Sequence, residues 1–137
     1  MPKSILGPAL ITFLALTGSA MAQERVRISS DWGEMTAELV DNAATRSLLG
    51  MLPVTIDMHD HLRQEKTGGL PAPLPELERQ RDFAVGTLAL WNSDHFVIYY
   101  RSGRVPSPGI IILGNVTGDA ALFDRSGSVT VRVERIP

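Results

Sequence analysis

Asp57, His59 and His61 stand at alternate positions in the run Val54-Thr55-Ile56-Asp57-Met58-His59-Asp60-His61. On an extended strand this spacing turns all three side chains to one face, and two imidazoles with a carboxylate are the beginning of a zinc site. A fourth ligand is not evident, and a turn placed at Asp60 to Arg63 would carry His61 out of the alternation. The face lies opposite Val54, Ile56 and Met58, so it is the wet side of the strand, and solvation alone accounts for polar residues there. The preferred reading is no metal and no cofactor, with His59, His61 and Asp57 as the alternative ligand set.

A second constellation is aromatic. Trp91, Phe96, Tyr99 and Tyr100 lie close together in sequence and are followed by Arg101. Large rings with a polar tip and a cationic neighbour suit the wall of a ligand pocket, so Trp91, Tyr99, Tyr100 and Arg101 are the candidate ligand-binding residues. Phe96 is assigned to the core. His95 beside Asp94 would make an acid–base pair if the two met, but adjacent strand residues point to opposite faces. The chain has no cysteine, which removes thiol nucleophiles and thiolate metal sites. No serine sits in a nucleophile elbow and no glycine-rich phosphate loop follows a strand. No residue is therefore assigned a catalytic role.

The elements that must carry these side chains are mostly short strands. Gly86 to Asn115 reads as three strands in series, joined by a turn at Asn92-Ser93-Asp94 and a Gly/Pro-rich loop from Ser102 to Gly109. The middle one, Phe96 to Tyr100, is apolar or aromatic throughout, which predicts cover on both faces: a barrel lumen on one side, a helix or loop on the other. Upstream, Val26 and Ile28, then Met35, Ala37 and Leu39, alternate with polar residues around Asp31-Trp32-Gly33, the pattern of a hairpin. Trp32 is expected to fold back as a lid on the barrel end. Asp41 or Asn42 caps a helix of about three turns carrying Ala44, Leu48, Met51 and Leu52, stopped by Pro53. Gln64 to Thr67 reads as a short polar strand. Gly68 to Pro75, with prolines at 71, 73 and 75, reads as an extended surface connector, and Glu76 to Asp82 as a mobile charged segment. A short helical turn from Ala120 to Phe123 precedes a closing strand with Val129, Val131 and Val133 inward. About eight strands and two short helices predict a mainly β protein, a closed eight-stranded antiparallel barrel without exposed edges.

The first 22 residues differ in kind. Lys3, the apolar run Ile5 to Gly18 and Ala20-Met21-Ala22 make the pattern of a cleaved signal peptide, too short an apolar run to span a bilayer comfortably. Export is expected, to the periplasm if the source is Gram-negative and otherwise to the medium. The domain is then 23–137, with 12 basic and 15 acidic side chains after Lys3 leaves. A mildly acidic surface excludes nucleic acid, and membrane after signal removal, as expected partners. Oligomeric state has no signature in the sequence.

Asp41-Asn42-Ala43-Ala44, Leu48-Leu49-Gly50-Met51-Leu52-Pro53-Val54-Thr55, Glu65-Lys66, Leu70-Pro71, Gly86-Thr87-Leu88, Val97-Ile98-Tyr99-Tyr100-Arg101 and Ile112-Leu113-Gly114 together resemble the bacterial cyclophilin-like domain family. The resemblance runs from about Val26 to Val133 and implies a cyclophilin-like eight-stranded barrel with helices closing its ends. It implies little about activity. At Gly69 the chain departs from the pattern, where a larger side chain is expected. True cyclophilins set an arginine in Phe-His-Arg and follow it with Gln-Gly-Gly-Asp; neither stretch occurs here, and Arg63 and Arg101 are isolated stand-ins. The expected function is a non-catalytic module binding a small ligand or extended peptide, with peptidyl-prolyl isomerase and the Asp57/His59/His61 metal site as alternatives.

Overall fold

A computed structural model describes residues 24–137, and the expected signal peptide at residues 1–22 lies outside the described residues. The chain runs β1 (Arg25–Ser30), β2 (Gly33–Leu39), α1 (Ala43–Leu49), β3 (Val54–His61), β4 (Glu65–Gly69), β5 (Asp82–Phe83), β6 (Thr87–Trp91), β7 (His95–Tyr99), β8 (Gly103–Arg104), β9 (Ile111–Val116), a 3-10 turn (Ala120–Phe123) and β10 (Val129–Arg135). Eight strands close a barrel in the order β1-β10-β3-β4-β7-β6-β9-β2, with antiparallel neighbours throughout. β5 and β8 pair in a separate ribbon. The architecture is the mainly β, closed eight-stranded barrel expected from the sequence.

Alternation builds the lumen. Val26, Ile28, Met35, Ala37, Ile56, Met58, Val131 and Val133 are buried in one cluster, and the register sets Ile28 opposite both Met35 and Val133. The β1–β2 turn places Gly33 at φ +132°, a conformation that favours glycine. Trp32 folds back as expected, with its ring centroid 6.1 Å from that of Phe123, and the two rings plug one barrel end.

β7 is covered on both faces. Phe96, Ile98 and Tyr100 belong to the lumen cluster; Val97 and Tyr99 belong to a second cluster outside the barrel with Phe83, Ala89, Val105 and Ile110. The cover is the β5–β8 ribbon with its following loop, and Phe83 stacks on Tyr99 at 3.8 Å between centroids.

Three local expectations are corrected. The helix has seven residues, about two turns, because the chain passes into successive turns at Gly50, where the Met51 and Leu52 amides reach back three residues. Its cap is Asn42, whose side chain accepts from Thr45 N. The proline connector lies on the surface with Pro71, Ala72, Pro73 and Pro75 exposed, but it is anchored: Leu70 and Leu74 are buried in the main core, and their amides donate to the carbonyls of Asp94 and Ser93. Glu76 to Asp82, expected to be mobile, is pinned by Arg79, which pairs with Glu76 and donates to the carbonyls of Gly109 and Asn92.

A fourth correction is β4. Its polar letters hide a buried strand that continues through Gly68 and Gly69, and Glu65, Lys66 and Thr67 are all buried. Lys66 points inward and is fully covered. Its ammonium donates to Asp60 Oδ1 at 2.8 Å and to the carbonyls of Arg125 and Gly127, with the Trp32 ring centroid 5.1 Å away. A buried ammonium is tolerable only with such a full set of acceptors.

Candidate functional site

The outer face of β3, β4 and β7 gathers several of the candidate side chains. Register fixes which side chains lie abreast: His61 opposite Glu65 opposite Tyr99, then His59 opposite Thr67 opposite Val97, then Gly69 opposite His95, itself opposite Trp91. β3 extends to His61, beyond the turn expected at Asp60, because the reversal is made within Leu62, Arg63 and Gln64. Leu62 and Arg63 both have positive φ, 55° and 54°, in this three-residue connection, a conformation that normally recruits Asn or Gly. Leu62 is left 74% exposed at the tip. Strained, exposed apolar turns of this kind concentrate at binding sites.

Over these rows lies a cavity of about 380 Å³. His59, His61, Glu65 and Thr67 form one side, Trp91, His95 and Tyr99 the other, and Leu62, Val105 and Pro106 the rim. All three histidines of the chain therefore meet at one cavity. Two buried polar groups face it. The Tyr99 hydroxyl is buried with no hydrogen-bond partner, and its pKa is pushed up by burial and by the nearby Glu65. Glu65 is 5% exposed and accepts from the Gln64 side-chain amide at 2.8 Å.

Burial raises the Glu65 pKa, against the lowering effect of the Gln64 bond and of His61. The folded state thus disfavours the charged carboxylate. Its contribution to stability is fully present below the ordinary 4.5 and is lost as pH rises through the raised folded value. Glu65→Gln keeps the shape and the Gln64 contact while removing the charge. Denaturant melts at pH 7 should show a gain of about 1 kcal/mol, the scale of a poorly compensated buried polar group, and a flatter pH dependence above 4.5. A loss of stability at pH 7 would show that the carboxylate is well satisfied.

The four aromatic and basic candidates do not share one site. Trp91 and Tyr99 line the cavity. Tyr100 faces the lumen side and donates its hydroxyl to Asp60, and Arg101 is half-exposed at the barrel end, 3.2 Å from Asp124, which Arg63 also approaches at 3.3 Å. Asp57, His59 and His61 share the wet face of β3, and Asp57 accepts from the Thr130 hydroxyl at 2.9 Å. Among the described residues no three His, Asp or Glu side chains are grouped so as to hold a metal ion. His95 Nδ1 does lie 3.0 Å from Asp94 Oδ1, because Asp94 belongs to the hairpin loop and escapes strand alternation. Glu65, Thr67, Val105 and Pro106 have no signal in the sequence that marks them as cavity residues. At Gly69 an added Cβ would meet nothing within 4 Å, so the missing side chain leaves open space on this face.

No curated protein matches the chain. Among solved structures, a hypothetical protein from Archaeoglobus fulgidus superposes with a TM-score of 0.68 at 17% identity, over 88% of this chain and all of that one. A cyclophilin-type peptidyl-prolyl cis-trans isomerase from Cryptosporidium parvum superposes with a TM-score of 0.57, also at 17% identity, over 85% of this chain and 99% of that one. Identities so low speak for the fold alone. The sequence itself matches the Cyclophilin-like family over residues 28–134, nearly the whole barrel, and the chain belongs to that family.

Proposed function

We propose that the protein is an exported, non-catalytic binding domain whose ligand, a small molecule or an extended peptide, occupies the cavity over β3, β4 and β7. The observation that carries this is the Tyr99 hydroxyl, fully buried and unpartnered at the cavity wall. Such a group costs about 1–3 kcal/mol unless a partner arrives, and a ligand in the cavity is the partner that can come and go. The volume of about 380 Å³ falls in the range of small-molecule sites. Export rests on Lys3, the apolar run after it and Ala20-Met21-Ala22. The isomerase alternative gains nothing from the site, since no arginine lines the cavity among the described residues and Arg63 and Arg101 are engaged by Asp124.

The test is a titration of isotope-labelled protein with small aromatic fragments and unstructured hexapeptides, followed by amide chemical shifts. Saturable shifts are expected to gather at His59, His61, Thr67, Trp91, His95 and Tyr99. Shifts gathered instead at the hollow formed by Val40, Asn42, Gln80 and Ile112 would move the site elsewhere.

A further inference from the structure

We propose that the cavity takes a cationic amine, its ammonium seated between the Glu65 carboxylate, the Tyr99 hydroxyl and the His61 ring, and its apolar stem running towards Trp91. The inference rests on the reading of the cavity as a ligand site and names the ligand's class.

Glu65 is a buried carboxylate met by the Gln64 amide and by no lysine or arginine among the described residues. A carboxylate can accept several hydrogen bonds, and burial without a cation leaves it under-compensated. Tyr99 sits directly abreast of it across β4 and β7, with an oxygen that both accepts and donates and has no partner. His61 lies abreast on the other side. Three acceptors converge from three neighbouring strands, and an ammonium is the compact head with three donors to meet them. The cavity lining contains neither lysine nor arginine, so no side chain with a permanent positive charge sits beside Glu65.

The opposite face of the same strands already holds such a group. Lys66, the next residue after Glu65, turns its ammonium inward to a carboxylate, Asp60, beside a tyrosine, Tyr100, the next residue after Tyr99. Inward, the carboxylate–tyrosine pair meets the chain's own lysine; outward, the pair Glu65–Tyr99 meets only the Gln64 amide, which donates to Glu65. From that end the hollow runs past Thr67 and Val105 to the half-buried ring of Trp91, so the stem that fits is apolar and ends in a flat group.

The probe is 4-phenylbutylamine, with 4-phenylbutan-1-ol and 4-phenylbutanamide as uncharged matches, each titrated into the labelled protein and into Glu65→Gln and Tyr99→Phe. The amine is expected to bind at least about tenfold more tightly than the alcohol or the amide, the scale of a charge-assisted hydrogen bond in a closed site. Glu65→Gln should remove that preference, and Tyr99→Phe should weaken the amine about threefold while both variants melt as folded proteins. Equal binding of amine, alcohol and amide, with shifts still confined to the cavity, would overturn the amine assignment and leave the site standing. Absence of shifts at the cavity with every probe would overturn both.

Discussion

Replacing Lys66 by methionine is expected to lower the unfolding free energy by about 3–5 kcal/mol, the usual consequence of removing one partner from a buried ion pair. Domains of this kind hold only about 5–15 kcal/mol in total, so the variant should melt far below the parent. The reason is local. The lysine ammonium joins β4 to Asp60 at the end of β3 and to the carbonyls of Arg125 and Gly127 beside the 3-10 turn, so one side chain ties three segments across the plugged end. Methionine fills the volume but leaves two carbonyls without their donor and Asp60 without its cation, held only by the Tyr100 hydroxyl and the Arg63 amide. Removing Asp60 at the same time, as Lys66→Met with Asp60→Leu, should cost less than the sum of the two single changes, because no unpaired charge is then left behind. A loss under 1 kcal/mol for the single variant would show that water replaces the ammonium without penalty.

The same cluster sets the acid limit. Partial burial by itself would raise the Asp60 pKa, but the bonds from Lys66 and Tyr100 and the charge of Lys66 outweigh it, and the carboxyl sits below its ordinary 3.8. Its stabilising contribution is therefore present above that value and lost as pH falls through the lower folded one. Asp60→Asn should flatten the acid limb of the stability profile.

Gly68→Ala is the second substitution expected to be severe. β4 passes so close to β3 at this point that an added Cβ would overlap the Asp57 carbonyl oxygen and come within 2.7 Å of Ile56 Cγ2. Backbone oxygen cannot swing aside as a flexible side chain can, so relief requires the two strands to part. A cost of about 3 kcal/mol, the upper end for overpacking a core, is expected in denaturant unfolding, together with faster amide exchange along Thr67 to Gly69. Gly69→Ala, one position on and facing open space, should change stability by less than about 0.5 kcal/mol. Equal effects at the two glycines would contradict the close crossing.

That pair of glycines shows where the sequence misleads. Gly68-Gly69 before a run of prolines reads as the start of a connector, and only the approach of β3 explains why the strand keeps glycine at 68. Alternation in β1, β2, β3 and β10 was legible because one face of each is wet, and the two-sided burial of β7 was legible because all its residues after His95 are apolar or aromatic. β4 was not, since Glu65-Lys66-Thr67 carries the letters of a surface strand, while the groups that satisfy Lys66 come from residues six, 59 and 61 positions away. Leu70 and Leu74 are apolar signals that the intervening prolines obscured. In the site, Trp91 and Tyr99 could be read from their type, whereas pairing them with Tyr100 overlooked that successive residues leave a strand on opposite sides. Nothing in the local sequence marks Glu65 as the buried acid of an outer cavity; its role comes from register with His61 and Tyr99.

The central claim, that ligand is held on the outer face and not at the plugged barrel end, can be read from the two tryptophans of the chain. Trp91 lines the cavity, and Trp32 packs on Phe123 with the Arg125 guanidinium 4.3 Å from its ring centroid. Protein labelled with 5-fluorotryptophan gives one fluorine resonance for each, assigned with Trp91→Phe. Titrated with the tightest of the fragments or hexapeptides, the Trp91 resonance is expected to move saturably while that of Trp32 stays in place; movement of Trp32 with Trp91 unchanged would contradict the account.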